Sequence, residues 1–308
     1  MAKVNLLDTR TASFGDFLGN GKIYIVPKFQ RDYSWDQGNW SDLWEDILAL
    51  HRGEQPSHHM GAVVLQNAPD SDREFQVIDG QQRLVTISTI VIGVIERIRQ
   101  LVLTGVDGEN NQERQEILKR TYLGDKNPSS LRYSSKLILN ENNNSFYQSN
   151  LINLRPPINL RHLSKSDRSL WQAYEYFSDR IQQDLENLAT NGESLASFVT
   201  EVIAKKLLFI QINVEDELNA YTLFETLNAR GISLGSTDLL KNYLFSLFRG
   251  PDDLAQAQRQ WQNIVSMVSM EKFAEFLKHY FSLQHKFIRT NKLFKIAKNT
   301  VSNAQQSF

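Results

Sequence analysis

Five consecutive residues, Asp79-Gly80-Gln81-Gln82-Arg83, set a carboxylate, a glycine, two amides and a guanidinium at the head of an apolar run. Leu84, Ile87, Ile90, Val91, Val94, Ile95, Ile98 and Leu101 follow at the spacing of a helix packed on several sides. Before them, Phe75-Gln76-Val77-Ile78 reads as a short strand. A strand that turns directly into a buried helix aims the helix's free N–H groups, and the positive end of its dipole, at one point. That arrangement suits an anion. Gly80 permits close backbone approach, and Arg83, about one turn in, can fork onto two phosphate oxygens. Asp79 brings the opposite charge to the same spot, as it would if a divalent cation bridged it to the phosphate. The plain alternative makes Asp79 an N-cap and Arg83 half of a surface ion pair. Spacing alone does not choose between them.

Two further stretches carry candidate chemistry. In Pro27-Lys28-Phe29-Gln30-Arg31-Asp32-Tyr33-Ser34-Trp35, extended backbone would turn Gln30 and Arg31 to opposite sides. Arg31 is expected to supply charge and Gln30 a base or backbone contact, while Tyr33 and Trp35 are expected to pack. Farther on, a helix over residues 217–227 should stop at Asn228-Ala229-Arg230-Gly231, and another should start at Ser236-Thr237-Asp238. Two helix ends meeting in this way present Asn228, Arg230, Asp238 and Lys241 on one rim. A simple helix hairpin with capping residues would look the same.

Together the three stretches resemble one family. Asp79-Gly80-Gln81-Gln82-Arg83 and the run from Pro27 are similar to the signature of the DGQQR-containing, ParB/sulfiredoxin-like N-terminal domain of GmrSD-type modification-dependent restriction proteins. Phe224-Glu225-Thr226-Leu227-Asn228-Ala229-Arg230-Gly231, continuing to Asp238-Leu239-Leu240-Lys241-Asn242, resembles its C-terminal motif, and the order agrees. The resemblance implies a module that binds and hydrolyses GTP or another nucleoside triphosphate and licenses cleavage of modified phage DNA. With Mg2+ as cofactor, Asp79 would hold the metal or orient water, while Gln82 and Arg83 would serve catalysis. Gln30, Arg31, Gly80, Gln81, Asn228 and Arg230 would contact the nucleotide. His58 is carried as a further candidate because relatives tend to place a histidine just ahead of the same strand. Two alternatives stay open: a ParB-like nucleotide-switched clamp on DNA or a partner, with little hydrolysis, and direct DNA nicking at the same residues. The resemblance also implies an HNH-type nuclease domain, downstream or on a partner chain. No downstream set of histidines and asparagines has that motif's spacing, so this chain alone is not expected to cut DNA.

The rest of the chain must position these groups. It has 308 residues, 41% hydrophobic and 22% charged, with net charge -1. Any DNA contact must therefore come from a local patch. The absence of cysteine excludes disulfides and thiolate metal sites. The N-terminus lacks a basic flank followed by an apolar core, and Thr86, Ser88, Thr89 and Gly93 interrupt residues 84–95. Both point to a soluble protein with no membrane partner, and the lack of cysteine fits a cytoplasmic one. The expected class is α+β: a ParB/sulfiredoxin-like α/β domain over residues 1–155, then a mainly helical domain over 156–308, divided at Pro156-Pro157. Residues 207–212 should return as a strand to the first domain's sheet. The polar runs 107–111 and 140–144 read as connections. Residues 271–300 carry Lys272, Lys278, Lys286, Arg289, Lys292, Lys295 and Lys298 against Glu271 and Glu275. That excess is either a solvated helix face or a phosphate-backbone footprint. A homo-oligomer is compatible with all of this.

Overall fold

The structure is a computed structural model that describes residues 8–28, 30–68, 71–126, 129–214, 251–268 and 270–282. Strand β1 (Asp8–Ser13) ends where Ser13 caps helix α1 (Phe14–Leu18). Ser13 Oγ accepts from the Asp16 N–H while the Asp16 carboxylate accepts from the Ser13 N–H. After β2 (Ile23–Ile25), Asp36 caps α2 (Gln37–His51) in the same reciprocal fashion, with Asn39 as its partner. The apolar stripe of α2 buries Trp40, Leu43, Trp44, Ile47 and Leu48, as its helical spacing predicts. Strands β3 (His58–Ala68) and β4 (Ser71–Asp79) form an antiparallel pair, and β4 passes through Gly80 into α3 (Gln81–Leu103).

Next come α4 (Gly108–Leu118), β5 (Gly124–Lys126), β6 (Tyr133–Ser135), β7 (Leu137–Ile138), α5 (Glu141–Phe146) and α6 (Lys165–Asp184). Short helices α7 (Glu186–Ala189), α8 (Gly192–Ser197) and α9 (Ala204–Lys206) lead to β8 (Leu207–Val214). The main sheet runs β1-β8-β3-β4-β2-β7, mixed in direction, and β5 and β6 pair separately. The class is α+β, as expected. Residues 107–111 and 140–144 are more ordered than their polarity suggested. The first run opens α4, and Asn140 in the second caps α5 by accepting from the Asn143 N–H.

Helix α3 is buried on nearly all sides, which explains its apolar run. Its polar interruptions are satisfied internally: Thr86 Oγ1 donates to Gln82 O, Thr89 Oγ1 to Val85 O, and Ser88 Oγ meets Tyr147 OH at 2.7 Å. Among the described residues, no helix is long and apolar enough to cross a membrane.

By its contacts the chain divides into two units, Met1–Glu215 and Asp216–Phe308. The division therefore falls well after the Pro156-Pro157 break. Leu170, Phe177 and Ile181 of α6 join the same core as α3, and Leu207 and Phe209 carry that core into β8. Strand β8 lies between β1 and β3, antiparallel to one and parallel to the other, so the return expected of residues 207–212 is what forms. In the second unit the described residues form α10 (Pro251–Val268) and α11 (Met270–Ser282). The third motif, with Asn228, Arg230, Asp238 and Lys241, lies outside the described residues, as does the basic segment beyond residue 282.

Candidate functional site

The junction of β4 and α3 is built against β3. Asp79 pairs with Val64, and Gly80 then turns with φ 98°, a left-handed conformation. A Cβ at Gly80 would stand 2.7 Å from Val63 Cγ2 and 3.2 Å from Val63 Cα, so glycine is required both by conformation and by space. No side chain caps α3. Its first helical bond is from the Leu84 N–H to Gly80 O, at 3.1 Å. Among the described residues the N–H groups of Gln81, Gln82 and Arg83 take no partner.

Asp79 is thus not the N-cap that the plain reading made it. Its Oδ2 accepts from Arg83 Nη2 at 3.2 Å, and Arg83 Nη1 donates to Met60 O at 2.6 Å. Nor is this a surface pair, because only 14% of the Arg83 side chain is exposed; Asp79, at 31%, is the part open to solvent. Burial draws the Arg83 guanidinium below its ordinary pKa, and the Asp79 charge pulls it back up. Gly61 makes the seat. It has φ 88°, lies where the β3–β8 register shifts, and a Cβ there would stand 2.5 Å from Arg83 Nη1.

The two glutamines turn away from the helix axis and hold the upstream motif by its backbone. Gln81 Nε2 donates to Arg31 O at 3.0 Å, and Gln82 Nε2 to Asp32 O at 3.1 Å. Gln82 Oε1 accepts from the Ser34 N–H at 2.9 Å, whereas Gln81 Oε1 is buried with no partner among the described residues. Gln30, also buried, donates from Nε2 to Ile78 O. Its backbone contact is therefore to β4. The other side of the loop is held by asparagines: Asn140 Nδ2 donates to Gln30 O and to Asp32 Oδ1, and Asn142 Nδ2 to Asp32 Oδ1. Asn143 Oδ1 accepts from the Tyr33 N–H. Arg31, its carbonyl fixed by Gln81, keeps a guanidinium with no partner among the described residues. Gln82→Leu should orphan the Ser34 N–H and the Asp32 carbonyl at a cost of about 1–2 kcal/mol. Urea unfolding would measure that loss, and hydrogen exchange at Ser34 should quicken.

Residues 14–245 match the family model for the N-terminal domain of the GmrSD restriction endonuclease. The chain belongs to the GmrSD N-terminal domain family. No curated protein matches it. The GmrSD match takes in the candidate site residues from Gln30 to Lys241, leaves the basic segment 271–300 outside, and makes the chain a module of a restriction system.

Within this GmrSD domain the structure gathers Gln30, Arg31, Asp79, Gly80, Gln81, Gln82 and Arg83 around one junction. Asn228 and Arg230 lie outside the described residues. His58 faces elsewhere: its Nε2 is 3.5 Å from Asp46 Oδ2 on α2. Tyr33 packs as expected, with its hydroxyl between Thr86 Oγ1 and Trp40 Nε1, and burial pushes its phenol pKa up. Trp35 is partly buried against the core. No group of three or more acidic or histidine side chains gathers among the described residues. The asparagine cradle and Gly61 were missed. The available signal was the density of amides in Asn140-Glu141-Asn142-Asn143-Asn144, side chains that donate and accept at once.

Proposed function

We propose that this GmrSD module binds a nucleoside triphosphate at the start of α3 and hydrolyses it with Mg2+. GTP is the substrate the family resemblance favours. Turnover would license cleavage of modified phage DNA by an HNH-type nuclease domain or partner chain. The observation that carries the reading is the N-terminus of α3, which no side chain caps and where three successive N–H groups beside Arg83 take no partner among the described residues. The Arg31 guanidinium on the clamped loop, unpaired among the described residues, agrees with a ligand there.

The side chains divide the work. The N–H groups of Gln81, Gln82 and Arg83 would take phosphate oxygens, and Arg83 would offset charge developing on the transferred group. Arg31 would add a second cation. Gln81 and Gln82 act indirectly, by holding the loop that carries Arg31. Mg2+ is compatible with a lone carboxylate, since it usually keeps several waters and takes its other ligands from phosphate; Asp79 is the residue that would hold it. When bound, the ion would neutralise phosphate charge.

Titrating a panel of nucleotides against the chain with Mg2+, then following phosphate release with and without DNA, tests the proposal. Asp79→Asn should keep nucleotide binding in chelator while slowing Mg2+-dependent hydrolysis by about tenfold or more. Equal rates for variant and parent would remove Asp79 from the site. A second reading has its own support. Both ends of the Gln82 amide are engaged and Asp79 is in an ion pair, so neither is ready to activate water. That favours a ParB-like nucleotide-switched clamp, for which phosphate release would stop at or below a single turnover.

A further inference from the structure

Residues 154–168 make an exposed basic segment that the nucleotide site does not use. Leu154 takes a left-handed backbone, φ 52°, and the chain then passes through Pro156-Pro157-Ile158 to a 3-10 turn, Leu160–His162. Asn159 caps that turn and Ser164 caps α6. Arg155, Arg161, Lys165 and Arg168 are all exposed, and none makes an ion pair among the described residues. Arg168 only leans on the Arg161 and Leu163 carbonyls, at 3.5 and 3.4 Å. The one acid in the segment, Asp167, accepts instead from Asn143 Nδ2. Amid these cations Ile158 is 106% exposed and Leu160 45%.

Unpaired cations of one sign around a bare apolar tip fit a surface with dense negative charge outside and apolar faces within. Duplex DNA is such a surface: phosphates for the cations, and a groove that takes apolar side chains. The two prolines stiffen the tip, so seating it costs little ordering entropy. The base is fixed as well. Asn143 Nδ2 donates to Ser166 Oγ and Asp167 Oδ1, while its Oδ1 holds the Tyr33 N–H of the clamped loop. With the whole chain at net charge -1, attraction must come from a local patch of this kind.

We infer that residues 155–168 are a duplex-DNA contact in which Arg155, Arg161, Lys165 and Arg168 hold phosphates and Ile158 enters a groove. The inference rests on the reading that this module works on DNA, but not on nucleotide hydrolysis. The test uses the full chain, a fluorescent duplex and a range of salt concentrations. Replacing all four cations by glutamine should make the plot of log affinity against log salt shallower by about 3 to 4. Ile158→Ala should weaken binding with the slope unchanged, because no charge is lost. All five side chains are exposed, so thermal midpoints should match the parent and show that the fold is intact. A parent-like slope in the fourfold variant overturns the inference, and so does binding to anionic vesicles with none to duplex. Parent-like affinity in Ile158→Ala overturns the part given to the isoleucine. Nucleotide titration of the same proteins keeps the two readings apart: a chain that binds no nucleotide, yet loses salt dependence in the fourfold variant, upholds the DNA contact and defeats the nucleotide site.

Discussion

Arg83→Ala should abolish most nucleotide affinity, by about 1.5–3 kcal/mol, the worth of a charge-assisted hydrogen bond. At room temperature that is roughly ten- to a hundredfold in dissociation constant. The substitution removes a cation beside three N–H groups that take no partner among the described residues, and also strands two acceptors, Met60 O and the Asp79 carboxylate. Some loss of stability is therefore expected with the loss of binding. Arg83→Lys separates the two effects. It keeps the charge but cannot reach Met60 O and Asp79 together as a planar fork does. Intermediate binding by the lysine variant, with a thermal midpoint near the parent's, would show that the fork matters as well as the charge. Normal GTP binding and hydrolysis by Arg83→Ala would defeat the assignment.

Gly80→Ala should be the most damaging single change to the junction itself. The new Cβ meets the Val63 backbone and side chain on β3, and the residue must hold φ 98°. Left-handed strain and overpacking each cost about 1–3 kcal/mol, so a combined loss of about 2–5 kcal/mol is expected in urea unfolding. If the protein tolerates the change with its midpoint unmoved, β4 does not enter α3 through the turn described here. Gly61→Ala would disturb the same site by a different route, because its Cβ meets a guanidinium that can move and not a strand backbone.

The residues that were legible in advance have mostly local reasons for what they do. The buried helix from Gln81, the strand before it and the stripe of α2 follow from apolar spacing, and Gly80 follows from the need for a tight entry. The polar side chains are another matter. Asp79, with Arg83 four residues on, suits both an N-cap and an ion pair, and only the packing of β3 under the turn brings Met60 O within reach and buries the pair. Gln81 and Gln82 look like donors to a ligand because they stand beside a glycine at a helix start. Their partners are backbone atoms about 50 residues away, at Arg31, Asp32 and Ser34.

By itself the sequence determined the α+β class, the central helix, the strand that delivers Asp79, and membership of the GmrSD family through three ordered motifs. Tertiary structure alone decided that the core runs on through α6 into β8, and that the DGQQR glutamines clamp the upstream loop. It also decided that Asn140, Asn142 and Asn143, some 110 residues from that loop, complete the clamp. The physical reason is one of range. Hydrophobic periodicity and backbone conformation are set by neighbours along the chain. An amide or guanidinium can bond to almost any donor or acceptor, so its partner is chosen only when folding sets distant backbone beside it.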